Sequence, residues 1–166
     1  MENGAGYCNY LSGRRYSNVP FDAIIKPIVE GGFLYEELVA PAHAADCNGS
    51  CYDCLRDYSN QKYHNVLNWR LGLDLARLAY DQNCRIDFSV SYWESYIIGH
   101  LTEAFLQKHI LVKIEKGYIK LSKNEHDYYV VHPFWSRNHM RNQIGLPIDQ
   151  IRTISVFDLY KHLNLQ

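Results

Sequence analysis

Three cysteines, Cys47, Cys51 and Cys54, fall within eight residues in the run His43-Ala-Ala-Asp-Cys-Asn-Gly-Ser-Cys-Tyr-Asp-Cys. Core packing does not explain such crowding; shared chemistry does. Zn²⁺ prefers four tetrahedral thiolate or imidazole donors, and short loops between cysteines let successive side chains converge on one ion at small closure cost. The spacing Cys47-x3-Cys51-x2-Cys54 supplies three sulfurs and leaves one position to fill. His43, four residues before Cys47, is the first candidate, and Cys8, after the Gly4-Ala-Gly6-Tyr7 turn, is the alternative. His64 and Cys84 rank lower: they flank a helix and stand about 30 Å apart if it is straight, so both cannot serve one ion. Catalytic zinc keeps a site for water and a nearby base, but neither His-Glu-x-x-His nor His-x-Glu occurs, and His43 is followed by Ala44-Ala45. A closed structural site is expected.

The rest of the composition sets bounds. The chain has 166 residues, 47% hydrophobic and 21% charged, enough apolar mass for one ordinary domain or for a metal module joined to a second lobe. Its formal charge is −1, so no global field draws in nucleic acid, and any such contact must be local. Five cysteines, three of them clustered, fit metal binding in a reducing compartment better than a disulfide framework. Met1 to Cys8 lack a basic and apolar leader pattern, and no apolar run approaches the roughly 18 residues of a membrane span. A cytoplasmic protein with no membrane association is expected.

The elements that must hold the cysteines can be read from periodicity. Phe21 to Val39 reads as two short helices, broken by Pro27 and by Gly31-Gly32. Leu67, Leu71, Leu75 and Leu78 mark the apolar face of a helix ending near Tyr80, with Asp74 on its outer side between Arg70 and Arg77. Arg85 to Phe88 reads as a short strand. Ser91-x-x-Glu94 has capping-box spacing before Trp93, Ile97, Leu101 and Phe105, so a second helix runs to about Lys108. Ile110 to Glu115 and Tyr118 to Ser122 flank Lys116-Gly117 as a hairpin, and Tyr128 to Val131 and Thr153 to Leu159 read as strands joined through a helix within 137–150. The expected class is α+β: a helix-rich zinc-binding module over residues 1–82, then a small α/β lobe over 83–166, packed with the first as one unit.

The run Cys47-Asn-Gly-Ser-Cys-Tyr-Asp-Cys-Leu-Arg-Asp-Tyr-Ser-Asn-Gln61, followed by Tyr63-His64 and Leu67-Asn-Trp-Arg-Leu-Gly-Leu-Asp-Leu75, resembles the C-terminal MrfA-like zinc-binding domain of DEAD/DEAH-box helicases and of the helicase-associated subunit of the DISARM phage-defence system. Glu2 to Leu11 is similar to the glycine-rich start of that domain, and Val130 to Trp135 and Ser155 to Leu159 to its last strands. The resemblance implies DNA repair or phage defence, zinc held mainly by cysteines, and a helicase subunit or domain as partner. Two departures stand out. Ala45 occupies a position where four-cysteine relatives place another Cys, which favours His43. Neither a Gly-x-x-x-x-Gly-Lys-Ser/Thr loop nor Asp-Glu-x-His occurs, so the motor is missing and the chain reads as a split-off or truncated C-terminal piece.

Arg56, Lys62 and Arg70, with Arg14-Arg15 and Arg77, are candidates for a nucleic-acid-binding face on which Tyr58 and Tyr63 stack bases, although Asp53, Asp57 and Asp74 interleave with them. His132-Pro-Phe-Trp135 reads as packing. Asp87, Glu94 and Glu115 form no carboxylate-lysine nuclease pattern. The expectation is a non-catalytic zinc-binding accessory domain that binds DNA weakly alone. Its rivals are a metal-dependent nuclease or hydrolase and a pure protein-interaction adaptor.

Overall fold

The computed structural model describes residues 21–115, 117–146 and 151–159. The chain is α+β and divides into two compact units, the first ending at Cys84 and the second beginning at Arg85.

In the first unit, α1 (Phe21–Val29), α2 (Phe33–Val39) and α3 (Pro41–Asp46) follow one another closely. The expected break at Pro27 does not occur: α1 carries Pro27 inside it and ends beyond it. The break falls at Gly31, whose φ is +64°, and at Gly32, where a Cβ would lie 2.0 Å from the Pro27 carbonyl oxygen. Only glycine permits that approach. Pro41 opens α3, where its missing N–H costs nothing. A 3₁₀ turn, Tyr58–Tyr63, begins at a capping box in which the Asp57 side chain accepts from Ser59 N–H and Asn60 Oδ1 accepts from Asp57 N–H. Asn68 then caps α4 (Trp69–Tyr80) by accepting from the N–H groups of Arg70 and Leu71.

The buried stripe of α4 differs from the leucine stripe expected. Trp69, Arg70, Leu73 and Asp74 are buried, whereas Leu75 is 56% exposed. Asp74, expected on the outer side, is fully buried, with Arg77 reaching it at 3.4 Å. The helix is rotated because Trp69 and Arg70 are both bonded to the cysteine loop.

In the second unit, α5 (Ser91–Tyr96), a π-helical segment (Ile97–Leu101) and α6 (Thr102–Leu106) form one continuous run. The π turn has a reason in the sequence. Trp93, Ile97, Leu101 and Phe105, all buried, recur every four residues, and at 3.6 residues per turn such a row drifts by about 40° per step. A wider turn returns Leu101 and Phe105 to the buried side. Its extra-long bond runs from Thr102 N–H to the Ile97 carbonyl, which the Thr102 hydroxyl also reaches at 2.9 Å. The expected capping box is not formed: Val90 is the N-cap and makes no side-chain cap bond. Arg85 to Asp87 form no strand.

β1 (Leu111–Glu115), β2 (Tyr118–Lys123), β3 (His126–Val131) and β4 (Thr153–Ser155) make one sheet in that order. The first three are antiparallel, with Glu115 opposite Tyr118 and Lys123 opposite His126. Gly117 takes a φ of +84°, as the tight β1–β2 connection requires. β4 runs parallel to β3, with α7 (Arg137–Ile144) between them in sequence, so the expected strand–helix–strand order is present. The last strand is shorter than expected: the chain turns into a 3₁₀ helix at Val156–Asp158. His132 is buried among the rings of Phe88, Trp93, Phe134 and Trp135, and its Nδ1 accepts from the Phe134 N–H, which is a packing role. Asp87 is held by Arg85 at 2.6 Å and by the N–H and hydroxyl of Ser89, and Glu115 by the Tyr118 hydroxyl. These carboxylates are engaged separately. Among the described residues no helix is long and apolar enough to cross a membrane.

Candidate metal centre

His43 and Cys47 stand four residues apart, one turn, and the Cys47 N–H closes that turn on the His43 carbonyl at 2.8 Å. Both side chains therefore leave the same face of α3. The loop 48–50 then carries the chain round to Cys51. There the Cys54 and Arg56 N–H groups donate to the Cys51 carbonyl at 3.3 and 2.9 Å, and the Cys51 N–H donates to Cys54 Sγ at 3.2 Å. This small turn folds the third sulfur back beside the second.

The result is a compact quartet. The ligand atoms of His43, Cys47, Cys51 and Cys54 all lie within 4.8 Å of one another, close enough to hold a metal ion. Cys47 Sγ is 3.8 Å from Cys54 Sγ, Cys51 Sγ is 3.6 Å from Cys54 Sγ, and Cys51 Sγ is 3.5 Å from His43 Nε2. A tetrahedron with Zn–S of about 2.3 Å and Zn–N of about 2.0–2.1 Å has sulfur–sulfur edges of about 3.8 Å and sulfur–nitrogen edges of about 3.5 Å. The three contacts match those edges. They are far longer than a disulfide bond of about 2.05 Å, and all three cysteines are free.

Supporting bonds orient the quartet. His43 Nδ1 lies 2.8 Å from the Leu38 carbonyl oxygen. That oxygen can only accept, so Nδ1 carries the proton and Nε2 presents its lone pair to the cluster, the arrangement common to histidine ligands. Burial, followed by repulsion from Cys54, pushes the Cys47 thiol from 9.0 up to about 12. In the metal-free fold the neutral thiol is thus favoured, a contribution present below pH 9.0 and lost as pH rises toward about 12. A divalent cation reverses the preference, so binding releases protons and weakens in acid.

Of the other candidate ligands, Cys8 lies outside the described residues. His64 Nε2 lies 2.9 Å from Asn60 Oδ1 and 3.1 Å from the Asp57 carbonyl, and Cys84 lines a separate small cavity with Val29, Glu30, Arg77, Tyr80 and Asp81. Among the described residues the group that could hold a metal ion is therefore His43 with the three cysteines. Replacing His43 by Ala should keep the three sulfurs but lower metal affinity by roughly tenfold or more. Cobalt titration followed at the thiolate charge-transfer band measures this. Unchanged affinity, with loss instead in Cys8→Ala, would move the fourth position to Cys8.

The candidate nucleic-acid residues have different fates. Arg70 is removed from that role: it is fully buried, donating from Nη1 to the Cys47 and Asn48 carbonyls at 3.0 and 3.3 Å and from Nη2 to the Ala44 carbonyl at 3.0 Å. Its guanidinium lies 4.3 Å from the Trp69 ring centroid, and Trp69 Nε1 donates to the same Cys47 carbonyl. Arg56 is half-buried and donates to the Ser50 hydroxyl at 3.0 Å. Lys62 is exposed and lies 4.9 Å from the Tyr63 ring centroid. Sequence reasoning missed Leu38 and Trp69 as supports of the centre. The one local signal was the unusual Trp-Arg pair opening an otherwise leucine-rich helix.

No family model matches this chain, and neither a curated protein nor a solved structure matches it. The resemblance to a helicase-associated zinc domain accordingly stands on the sequence motifs alone, strongest over 43–75.

Proposed function

We propose that the His43/Cys47/Cys51/Cys54 quartet is a closed structural zinc site, and that the chain is a non-catalytic accessory domain of a DNA helicase or of a phage-defence or DNA-repair complex. The observation that carries the zinc reading is the match of three contacts within the quartet to the edges of a tetrahedron. Four protein donors complete the coordination and leave no position for a reacting water, which supports a structural ion over a catalytic one. The helicase association is the expectation that the resemblance supplies.

A surface beside the centre suits a binding role. Tyr52, Tyr58 and Tyr63 are exposed, Tyr58 by 82%. Tyr52 packs edge-on against His64, 5.6 Å between centroids, and His64 is bonded to Asn60 in the turn that carries the other two rings. Exposed rings flanked by Arg56 and Lys62 fit unstacked bases, at roughly 1–3 kcal/mol per stacked base. With a net charge of −1 the isolated chain gains little from counterion release, so tight binding needs a partner that supplies basic surface.

Fluorescence anisotropy with a labelled single strand, with and without a DEAD/DEAH-box partner, tests the reading. The chain alone should bind weakly. The complex should bind tightly, and Tyr58→Ala with Lys62→Glu should lower its affinity by roughly tenfold or more. Nanomolar binding by the isolated chain at physiological salt, or metal-dependent DNA cleavage abolished by Cys51→Ser, would overturn it.

A further inference from the structure

The metal centre is not sealed on every side. A cavity of about 450 Å³ opens beside it, lined by Glu37, Ala40, Ala42, His43, Asp46, Cys47, Cys51 and Asp53. Three of the four ligand residues therefore share walls with three carboxylates. Glu37 comes from α2, Asp46 from the end of α3 and Asp53 from the Cys51–Cys54 turn, so separate segments place acid at one opening. No Lys or Arg lines it, and among the described residues none of the three carboxylates takes part in an ion pair. All three are exposed.

Charge and size point the same way. Three thiolates around a dication leave one net negative charge, and three carboxylates at the opening add to it. A cation meets a favourable potential in such a cleft and an anion an unfavourable one. At about 30 Å³ per water, a dication with six waters needs roughly 180 Å³, which the cavity accommodates. We propose that metal exchange at the centre runs through this cavity, and that Glu37, Asp46 and Asp53 make it a cation-selective passage. They would hold a divalent ion in transit and keep anionic ligands away from the sulfurs. The proposal rests on the reading of the quartet as a metal centre.

Chelators of different charge test it on the loaded chain. The Co²⁺-loaded protein is mixed with EDTA, an anion, or with phenanthroline, a neutral chelator, and loss of the thiolate–cobalt absorption is timed. In the variant carrying Glu37→Gln, Asp46→Asn and Asp53→Asn, removal by EDTA should accelerate roughly tenfold at low ionic strength, while removal by phenanthroline changes little. High salt should erase the difference, because it screens the carboxylates. An EDTA rate equal to that of the parent chain would overturn the proposal. So would equal acceleration by both chelators, which would mean that the substitutions loosened the centre. A parent chain with no thiolate–cobalt absorption would instead sink the metal-centre reading itself.

Discussion

Stripping the metal from the purified chain is expected to unfold the unit that ends at Cys84 and to leave the unit that begins at Arg85 folded. The reason lies in what each unit buries. In the first, the buried apolar side chains among the described residues are Val29, Leu38, Ala44, Cys47, Trp69 and Leu73. One of these, Cys47, is itself a candidate ligand, and Trp69 packs on a second, His43, at 5.3 Å between centroids. The second unit has a core of its own, with Phe88, Trp93, Leu101, Ile110, Ile119 and Val130 almost wholly buried. A structural zinc ion contributes about 10–16 kcal/mol of binding free energy that is also folding free energy, whereas a whole domain is typically stable by only about 5–15 kcal/mol.

An ion held by the quartet would thus contribute as much folding free energy as a whole domain typically has, and its loss is expected to unfold the first unit. Hydrogen exchange after chelation reads the result by segment. Amides of α3 and α4 should lose protection, α4 because Trp69 and Arg70 tie it to the cysteine loop, while those of β2 and β3 keep theirs. Retained protection across α4 without metal would contradict this account, as would concerted loss in both units.

The second large effect is expected at Arg70. Its buried guanidinium supplies donors to the carbonyls of Ala44 and Cys47, in the turn that joins the first two candidate ligands, and of Asn48 just after it. Arg70→Ala would remove three hydrogen bonds to these carbonyls, two of them buried, at a cost of about 1–3 kcal/mol for each bond lost. Lysine should not rescue it. Its single ammonium cannot span three carbonyls as the planar fork does, nor lie flat against Trp69. The expected outcome of chemical denaturation of the metal-loaded protein is a large fall in the midpoint for both variants, with Lys62→Ala, at an exposed position, as the near-neutral control. If Arg70→Lys keeps the parent midpoint, the fork is not what holds the loop.

Much of the architecture was legible in the chain because it depends on neighbours in sequence. His43, Cys47, Cys51 and Cys54 lie within twelve residues, so one helical turn and one tight turn suffice to bring their ligand atoms together, and spacing alone pointed to them. The hairpin at Gly117 and the strand–helix–strand order of β3, α7 and β4 follow from turn chemistry and apolar runs that are also local. The row Trp93, Ile97, Leu101 and Phe105 marked its helix, and its strict four-residue repeat carried the reason for the π segment.

Only the tertiary structure decided which side of a helix faces inward and which charges are buried. Leucine periodicity put Leu75 inside and Arg70 and Asp74 outside on α4. The structure reverses this, because the carbonyls left open by the cysteine loop demand donors, and Arg70 and the Trp69 indole meet that demand from across more than twenty residues of sequence. The acid at the opening of the metal centre arose in the same way. Glu37, Asp46 and Asp53 are ordinary surface carboxylates in sequence, and they share one cavity only because α2, α3 and the cysteine turn fold around the same His43–cysteine cluster.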